Sequence, residues 1–224
     1  MVDKVNRTTF GGMDKDAKIA LFDGKPGDGK STLCAYLLHK LQSQYEYGFI
    51  LSTTIYNDDI WNKVTWLHKI EITTDVIEPL TAILNCQKEK VKKYKKSDFK
   101  TAAEARVPRL CLVFDDLVGR TRFGDKDTIN MLATTRHIHT HVYITSQYTN
   151  SVQPMLRDLA TEVYLSASSG DGIYKTMQAY FPSNTKKEQK EIMLKLAAKG
   201  DHVFGHLRRN NGEYRYVKVP RTFL

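Results

Sequence analysis

The sequence predicts an α/β protein in which helices cover both faces of a central parallel sheet. Along residues 18–166, short apolar strands alternate with longer amphipathic helices, which is the pattern of strand–helix–strand units. The chain has 224 residues, of which 41% are hydrophobic, so it is long enough for one such domain with a substantial core. A glycine-rich loop directly after the first strand also suits this class of fold.

Five segments have the composition of buried parallel strands. Each is short, apolar or β-branched, and bounded by polar or turn-forming residues. They are residues 18–22, 48–53, 110–114, 141–145 and 162–166. The third segment is uniformly apolar, as expected of a strand at the centre of the sheet.

Helices are predicted at about residues 30–41, 75–96, 127–136 and 186–199, where apolar residues recur at helical spacing. Residues 58–67 are a weaker helical candidate. Near the end of the chain, residues 202–209 and 213–219 flank Asn210-Asn211-Gly212, a pattern typical of a β-hairpin. We expect a core domain over residues 1–168, with a lysine-rich helical segment at about 75–100. Residues 169–224 would add a C-terminal helix and β-hairpin within the same compact unit.

Composition excludes several classes of protein. The apolar runs fall well short of the ~20 residues that a membrane span needs, and residues 1–12 are too polar for a signal peptide. The three cysteines are widely spaced with no CxxC pair, so we expect reduced, packed side chains. The net charge of +9 favours a polyanionic partner such as nucleic acid, although it could equally serve solubility.

The loop after the first strand matches the phosphate-binding pattern G-x-x-x-x-G-K-[ST] at every fixed position. With the residue that follows it, the loop consists of Gly24, Lys25, Pro26, Gly27, Asp28, Gly29, Lys30, Ser31 and Thr32. Its glycines let backbone N–H groups surround phosphates, and the following helix points its positive end at them. We expect Lys30 to reach the β- and γ-phosphates and the Ser31 hydroxyl to coordinate magnesium. The predicted cofactors are ATP and Mg²⁺.

Two carboxylates end the third strand, and ligands of parallel sheets bind at the carboxyl ends of strands. Asp115 is therefore expected to hold magnesium, and Asp116 to activate the attacking water as general base. The next strand ends in Ser146-Gln147. Gln147 is predicted to hydrogen-bond the attacking water or the γ-phosphate; the alternative is a solvated strand end.

This ordered set of motifs resembles the HerA–FtsK class of P-loop motor ATPases. More narrowly, it resembles the genome-packaging ATPases of double-stranded DNA viruses with double jelly-roll capsids, the poxvirus-like and related lineages. The resemblance covers about residues 18–166. Besides the phosphate loop, the matching residues are Phe114-Asp115-Asp116, Thr135-Arg136-His137, Thr145-Ser146-Gln147 and Gln153-Pro154-Met155-Leu156-Arg157.

For the fold, the resemblance implies an ASCE-type P-loop NTPase with strand order 5-1-4-3-2. For the function, it implies an ATP-driven double-stranded DNA translocase, a viral genome-packaging motor. It also implies a homo-oligomeric ring, a pentamer or hexamer, in which a neighbour's arginine completes each active site. Arg136 and Arg157 fall where family arginines recur, and either could instead be a structural ion-pair partner. A capsid or portal-vertex protein is a further expected partner, with a location in the virion or in the host cytoplasm or nucleus.

Three alternatives stay open at the level of sequence. A small-molecule or nucleotide kinase uses the same phosphate loop, but we find no arginine-bearing lid segment. A non-motor ATP-binding loader would bind a protein partner and hydrolyse ATP poorly alone. The seven lysines of residues 88–100 could neutralise DNA phosphates or could simply be a solvated helix end.

Overall fold

The computed structural model describes residues 17–97, 107–118, 122–147, 152–166, 178–181, 184–209 and 212–223. Within these residues the chain forms one mixed sheet and five complete α-helices, and residues 178–180 are also helical. The strands are β1 (Ile19–Asp23), β2 (Tyr47–Ser52), β3 (Leu67–Glu71), β4 (Leu110–Asp115), β5 (Thr140–Ser146), β6 (Glu162–Ser166), β7 (Val203–Arg208) and β8 (Glu213–Lys218). The helices are α1 (Lys30–Leu41), α2 (Ile77–Lys96), α3 (Lys126–Thr134), α4 (Pro154–Leu159) and α5 (Lys186–Ala197).

The sheet has the strand order β3-β2-β4-β5-β1-β6-β7-β8. The five strands expected from sequence are β1, β2, β4, β5 and β6, and among themselves they follow the predicted order 5-1-4-3-2. Along the sheet, the neighbouring strands from β3 through β2, β4, β5 and β1 to β6 all pair in parallel. The strand that leads to Gln147, β5, lies between the strand before the phosphate loop and the strand that ends in Asp115, as expected.

The two faces of the sheet carry separate hydrophobic clusters. On one face α1 packs its leucines against β1, β4 and β5 through residues such as Phe22, Val113 and Tyr143. On the other face α2, α3, α4 and α5 cover residues such as Leu112 and Ile144. Helices therefore lie on both faces, as predicted, and this explains why β4 and β5 are buried along their whole length.

Two parts of the fold differ from the expectation. Residues 58–67 do not form an α-helix: a short 3₁₀-helix (Asp59–Lys63) is followed by the edge strand β3. The strand was missed because it is only five residues long and its two apolar residues, Leu67 and Ile70, are three positions apart, a spacing that does not show the alternation of a strand. The C-terminal hairpin does form, and β7 pairs antiparallel with β6, so the hairpin continues the sheet.

The expectation for the cysteines was confirmed only in part. Cys34, Cys86 and Cys111 are all free thiols, and Cys34 and Cys111 are buried, whereas Cys86 is exposed. Helix α5 begins with a capping box between Thr185 and Glu188. Among the described residues, no helix is long and apolar enough to cross a membrane. The Asn210-Asn211 part of the predicted hairpin turn lies outside the described residues.

Candidate nucleotide-binding and catalytic site

The topology gathers the predicted phosphate-binding, metal-binding and water-activating residues at one edge of the sheet. The phosphate loop follows the carboxyl end of β1, Asp115 is the last residue of β4, and Gln147 follows β5 directly. Because β1, β4 and β5 are parallel neighbours, these three ends lie side by side. We call this side of the sheet the nucleotide edge, and the side where the parallel strands begin the opposite edge.

The phosphate loop has the backbone that its glycines permit. Gly27 and Gly29 both have φ of 84°, a left-handed conformation that favours glycine. Asp28 closes the loop on itself, because its carboxylate accepts hydrogen bonds from the backbone N–H of Lys25 and from the hydroxyl of Ser166, both at 2.6 Å. Helix α1 begins at Lys30, directly after the loop, so its unpaired N–H groups face a bound phosphate.

Lys30 lies inside the loop. Its ammonium group donates a hydrogen bond to the Lys25 carbonyl at 2.7 Å, and the residue is 8% exposed. Burial lowers the pKa of Lys30, while the charges of four nearby carboxylates, those of Asp28, Asp116, Asp23 and Asp115, act in the opposite direction. The ammonium group is therefore placed between the phosphate loop and the acidic pair, where a γ-phosphate would need a counter-charge.

Asp115 accepts hydrogen bonds on both carboxylate oxygens and is 3% exposed. Its Oδ1 accepts from the hydroxyl of Ser31 at 2.9 Å and from the hydroxyl of Thr145 at 2.7 Å. Its Oδ2 accepts from the indole N–H of Trp61 at 2.9 Å. All three donors are neutral, so they orient the carboxylate without cancelling its charge.

Asp116 is half-buried and has a left-handed backbone, with φ of 54°. Its N–H donates to the hydroxyl oxygen of Thr145 at 2.9 Å. Thr145 therefore bridges the two acids, since the same hydroxyl donates to Asp115. The charge of Asp116 also contributes to raising the pKa of Lys30 against the effect of burial, which places this carboxylate near the phosphate loop.

The oxygen ligands present fit a magnesium–nucleotide complex. Ser31 and Asp115 supply a hydroxyl and a carboxylate already in hydrogen-bond contact, and hard oxygen ligands are those that Mg²⁺ prefers. The described residues contain no group of three or more His, Cys, Asp or Glu side chains that could hold a metal alone. Mg²⁺ is usually bound by one or two protein ligands together with substrate phosphates and water.

The remaining predicted residues lie in two places. Gln147 is half-buried at the nucleotide edge, and its catalytic role stays a prediction. Arg136 lies in the 3₁₀-helix before β5, and Arg157 lies in α4 before β6. Both precede the amino ends of parallel strands, so both lie at the opposite edge from the phosphate loop of their own chain. Two further arginines follow the acidic pair: Arg122 is bound by Asp75 and Asp125 at 3.1 and 3.0 Å, and Arg120 lies outside the described residues.

Three contacts at this site were not predicted. Trp61 reaches Asp115 from the segment between β2 and β3, and the Thr145 hydroxyl joins the two acids. His202, which precedes β7, packs over the phosphate loop, where a side chain on Gly29 would come within 2.8 Å of its Nδ1. The sequence holds one usable signal, a polar threonine at the buried end of β5; the other two contacts depend on the path of distant segments.

Comparison with known proteins agrees with this geometry. The family model described as Poxvirus A32 protein matches residues 11–198. A search of curated protein sequences finds no match. Three solved structures of similar fold are the genome packaging NTPase B204 of Sulfolobus turreted icosahedral virus 2 with ATP-gammaS, the pCW3 conjugation coupling protein TcpA with ATPgS, and the cytoplasmic domain of the type VII secretion ATPase EccC from Thermomonospora curvata.

These structures are distant in sequence. B204 has a TM-score of 0.61 and 13% identity, over 90% of this chain and 97% of that chain. TcpA has a TM-score of 0.60 and 14% identity, over 91% and 60% of the two chains. EccC has a TM-score of 0.65 and 10% identity, over 90% and 25%. At such identities the likeness shows a shared fold, that of P-loop ATPases.

Proposed function

The chain belongs to the Poxvirus A32 protein family, and on this premise we propose that it is an ATP-driven double-stranded DNA translocase that packages a viral genome. Its fold and family make it a P-loop ATPase. The observation that carries the proposal is the convergence of Lys30, Ser31, Asp115 and Asp116 at one edge of the sheet. A nucleotide-binding module without catalysis would need the phosphate loop but not the second carboxylate.

Each residue of the site has a role that its geometry supports. Lys30 and the loop N–H groups hold the β- and γ-phosphates of ATP. Ser31 and Asp115 would hold Mg²⁺, which neutralises charge that develops on the phosphate oxygens. Asp116 accepts the proton of the attacking water, and Gln147 orients that water from the end of β5. Thr145 ties the Asp115 carboxylate to the backbone N–H of Asp116.

The arginine that completes catalysis would come from a neighbouring subunit. Arg136 and Arg157 precede the amino ends of β5 and β6, which span seven and five residues, roughly 23 and 17 Å at ~3.3 Å per residue. An arginine side chain cannot cross either distance to its own phosphate loop. We therefore propose a homo-oligomeric ring, a pentamer or hexamer, in which one subunit's opposite edge approaches the next subunit's nucleotide edge.

Subunit mixing tests the ring. Lys30→Ala removes phosphate binding but keeps the arginines, whereas Arg157→Ala or Arg136→Ala keeps the phosphate site intact. If one arginine acts between subunits, each of the two corresponding variants is inactive alone and their mixture recovers part of the ATPase activity. If activity recovers with only one of the two arginine variants, the arginine replaced in that variant is the arginine finger, the one that acts between subunits. Full activity of both arginine variants alone would contradict an arginine finger at either position.

The opposite edge also carries the charge expected of a DNA-binding surface. The C-terminal half of α2 holds six described lysines, which are Lys88, Lys90, Lys92, Lys93, Lys95 and Lys96. Gln87 ties this half of α2 to the starts of the central strands by donating to the carbonyls of Pro108 and Ile138 at 2.8 and 2.6 Å. Only two of these lysines form an ion pair in the described part of the chain, Lys90 with Glu46 and Lys92 with Glu89. We propose that the lysines contact DNA phosphates.

ATP hydrolysis measured with and without linear double-stranded DNA, at low and moderate salt, tests the function. The translocase predicts strong stimulation by DNA that weakens as salt rises, because phosphate contacts are salt-dependent. Lys30→Ala controls for contaminating ATPases. Hydrolysis that is indifferent to DNA at every salt concentration would favour a kinase, and an absence of hydrolysis with DNA present would favour a loader. A capsid or portal-vertex protein as partner, and a location in the virion or the host cytoplasm or nucleus, follow from the same proposal.

A further inference from the structure

We propose that Trp61 is a positioning residue for the magnesium carboxylate, because its indole N–H fixes Oδ2 of Asp115 and thereby aims Oδ1 at Ser31. The inference rests on the proposed function in one respect, which is that Asp115 is the carboxylate beside Mg²⁺. Trp61 matches none of the expected motifs of the chain. It comes to the site from the 3₁₀-helix between β2 and β3.

The contact is a buried hydrogen bond of ordinary length. Trp61 is 0% exposed and Asp115 is 3% exposed, and the Nε1–Oδ2 distance is 2.9 Å. The two hydroxyl donors of Ser31 and Thr145 both bind Oδ1, so without Trp61 the second oxygen would have no donor among the described residues. Donors on both oxygens hold the plane of the carboxylate, which otherwise rotates about its last torsion.

The chemistry of the indole suits this task. An indole N–H donates one hydrogen bond and accepts none, so Trp61 can neither ligate Mg²⁺ nor take up a proton. Because it is neutral, it leaves the full negative charge of Asp115 for the metal, whereas a lysine or arginine at this place would compete with Mg²⁺. A hydrogen bond to a charged group is roughly twice as strong as one between neutral groups, so its loss is expected to weaken metal affinity about tenfold.

Trp61 is itself firmly held. The side chain of Asp58 caps its 3₁₀-helix by accepting from the N–H of Ile60 at 3.1 Å. At the other end of that helix, Lys63 lies over the ring of Phe223, 5.2 Å from its centroid. The Phe223 ring also packs edge-on against Tyr36 of α1, at 5.2 Å between centroids. The Trp61 segment is thus braced against the helix that follows the phosphate loop, so the indole is held in register with Ser31.

A matched pair of substitutions tests the role. Trp61→Phe removes the N–H and keeps an aromatic ring, and Trp66→Phe makes the same change five residues later. Trp66 is the right control because its indole N–H has no hydrogen-bond partner in the described part of the chain.

We expect Trp61→Phe to raise the Mg²⁺ concentration for half-maximal hydrolysis about tenfold, the change that 1.4 kcal/mol produces, and Trp66→Phe to leave it unchanged. Affinity for ATP in the presence of EDTA should be the same in both variants and the wild type. Equal Mg²⁺ dependence of the two folded variants would overturn the proposal.

Fluorescence gives a second readout that does not need hydrolysis. The chain contains two tryptophans, so Trp66→Phe leaves Trp61 as the sole emitter. Adding Mg²⁺ to this variant, loaded with a non-hydrolysable ATP analogue, should change the Trp61 emission, and Asp115→Asn should abolish that change. An emission unaffected by Mg²⁺ would refute the role of Trp61 even if Trp61→Phe failed to fold. A Mg²⁺ response in a chain without DNA-stimulated hydrolysis would instead sustain the inference and refute the translocase.

Discussion

Replacing Thr145 by valine would remove one hydroxyl while keeping the shape of a side chain that is 2% exposed. That hydroxyl donates to Asp115 at 2.7 Å and accepts from the N–H of Asp116 at 2.9 Å. A hydrogen bond to a carboxylate is worth about 1.5–3 kcal/mol, and a buried N–H left without a partner costs roughly 1–3 kcal/mol. Since Ser31 and Trp61 still hold Asp115, we expect the free energy of unfolding to fall by about 3 kcal/mol.

Catalysis should suffer as well, because the Asp115 carboxylate and the backbone of Asp116 lose the hydroxyl that joins them. We expect kcat to fall at least about tenfold, which corresponds to a loss of only ~1.4 kcal/mol of transition-state stabilisation. Urea denaturation gives the free energy of unfolding, provided that the m-value is unchanged, and steady-state ATP turnover gives kcat.

Thr140 offers a matched control on the same strand. It is 0% exposed, and its hydroxyl donates to the Ile138 carbonyl at 3.3 Å, at the other end of β5 from the nucleotide edge. Thr140→Val should lower the free energy of unfolding by about 1 kcal/mol and leave turnover unchanged. If Thr145→Val kept wild-type kcat and were no less stable than Thr140→Val, the bridging role of Thr145 would be refuted.

Three further predictions concern the same molecule. Lys30→Ala should abolish phosphate binding and turnover while circular dichroism stays native, and normal turnover would remove Lys30 from the site. Asp116→Asn should bind ATP without cleaving it, because asparagine tolerates the left-handed backbone; loss of ATP binding would instead make Asp116 a metal ligand. Changing four of the exposed lysines in residues 88–96 to glutamine should flatten the salt dependence of DNA binding. The slope of the logarithm of the binding constant against the logarithm of the salt concentration should fall in magnitude by ~0.9 for each DNA phosphate that a lysine no longer neutralises. An unchanged slope would mean that this end of α2 is merely solvated.

Local patterns were the most predictable part of the protein. The phosphate loop is defined within eight consecutive residues, and β4 is recognisable as a continuous apolar run that ends in two carboxylates. The order of the strands was not in those patterns and came from the resemblance of the ordered motifs. The edge strand β3 escaped prediction because its pattern is short and half polar, which periodicity alone cannot separate from a helical turn.

The contacts that refine the site were beyond sequence reasoning for a different reason. Trp61 and Asp115 are 54 residues apart in the chain, and nothing in the residues around Trp61 indicates a catalytic partner. Their meeting depends on how the 3₁₀-helix packs against α1, which is a property of the folded core. The sequence therefore predicts which chemical groups serve the site, whereas the packing determines how rigidly they are held.

The backbone of Asp116 gives a physical reason for the residue found there. In many ATPases with these motifs a glutamate occupies the second acidic position, and aspartate is one methylene shorter. The structure gives Asp116 a φ of 54°, a conformation that aspartate and asparagine adopt several-fold more often than most residues. A left-handed residue costs roughly 1–2 kcal/mol for an ordinary side chain, so Asp116→Glu would lengthen the carboxylate arm and strain the turn together. Because the turn is also fixed by the hydrogen bond from its N–H to Thr145, the backbone at this position favours the shorter acid.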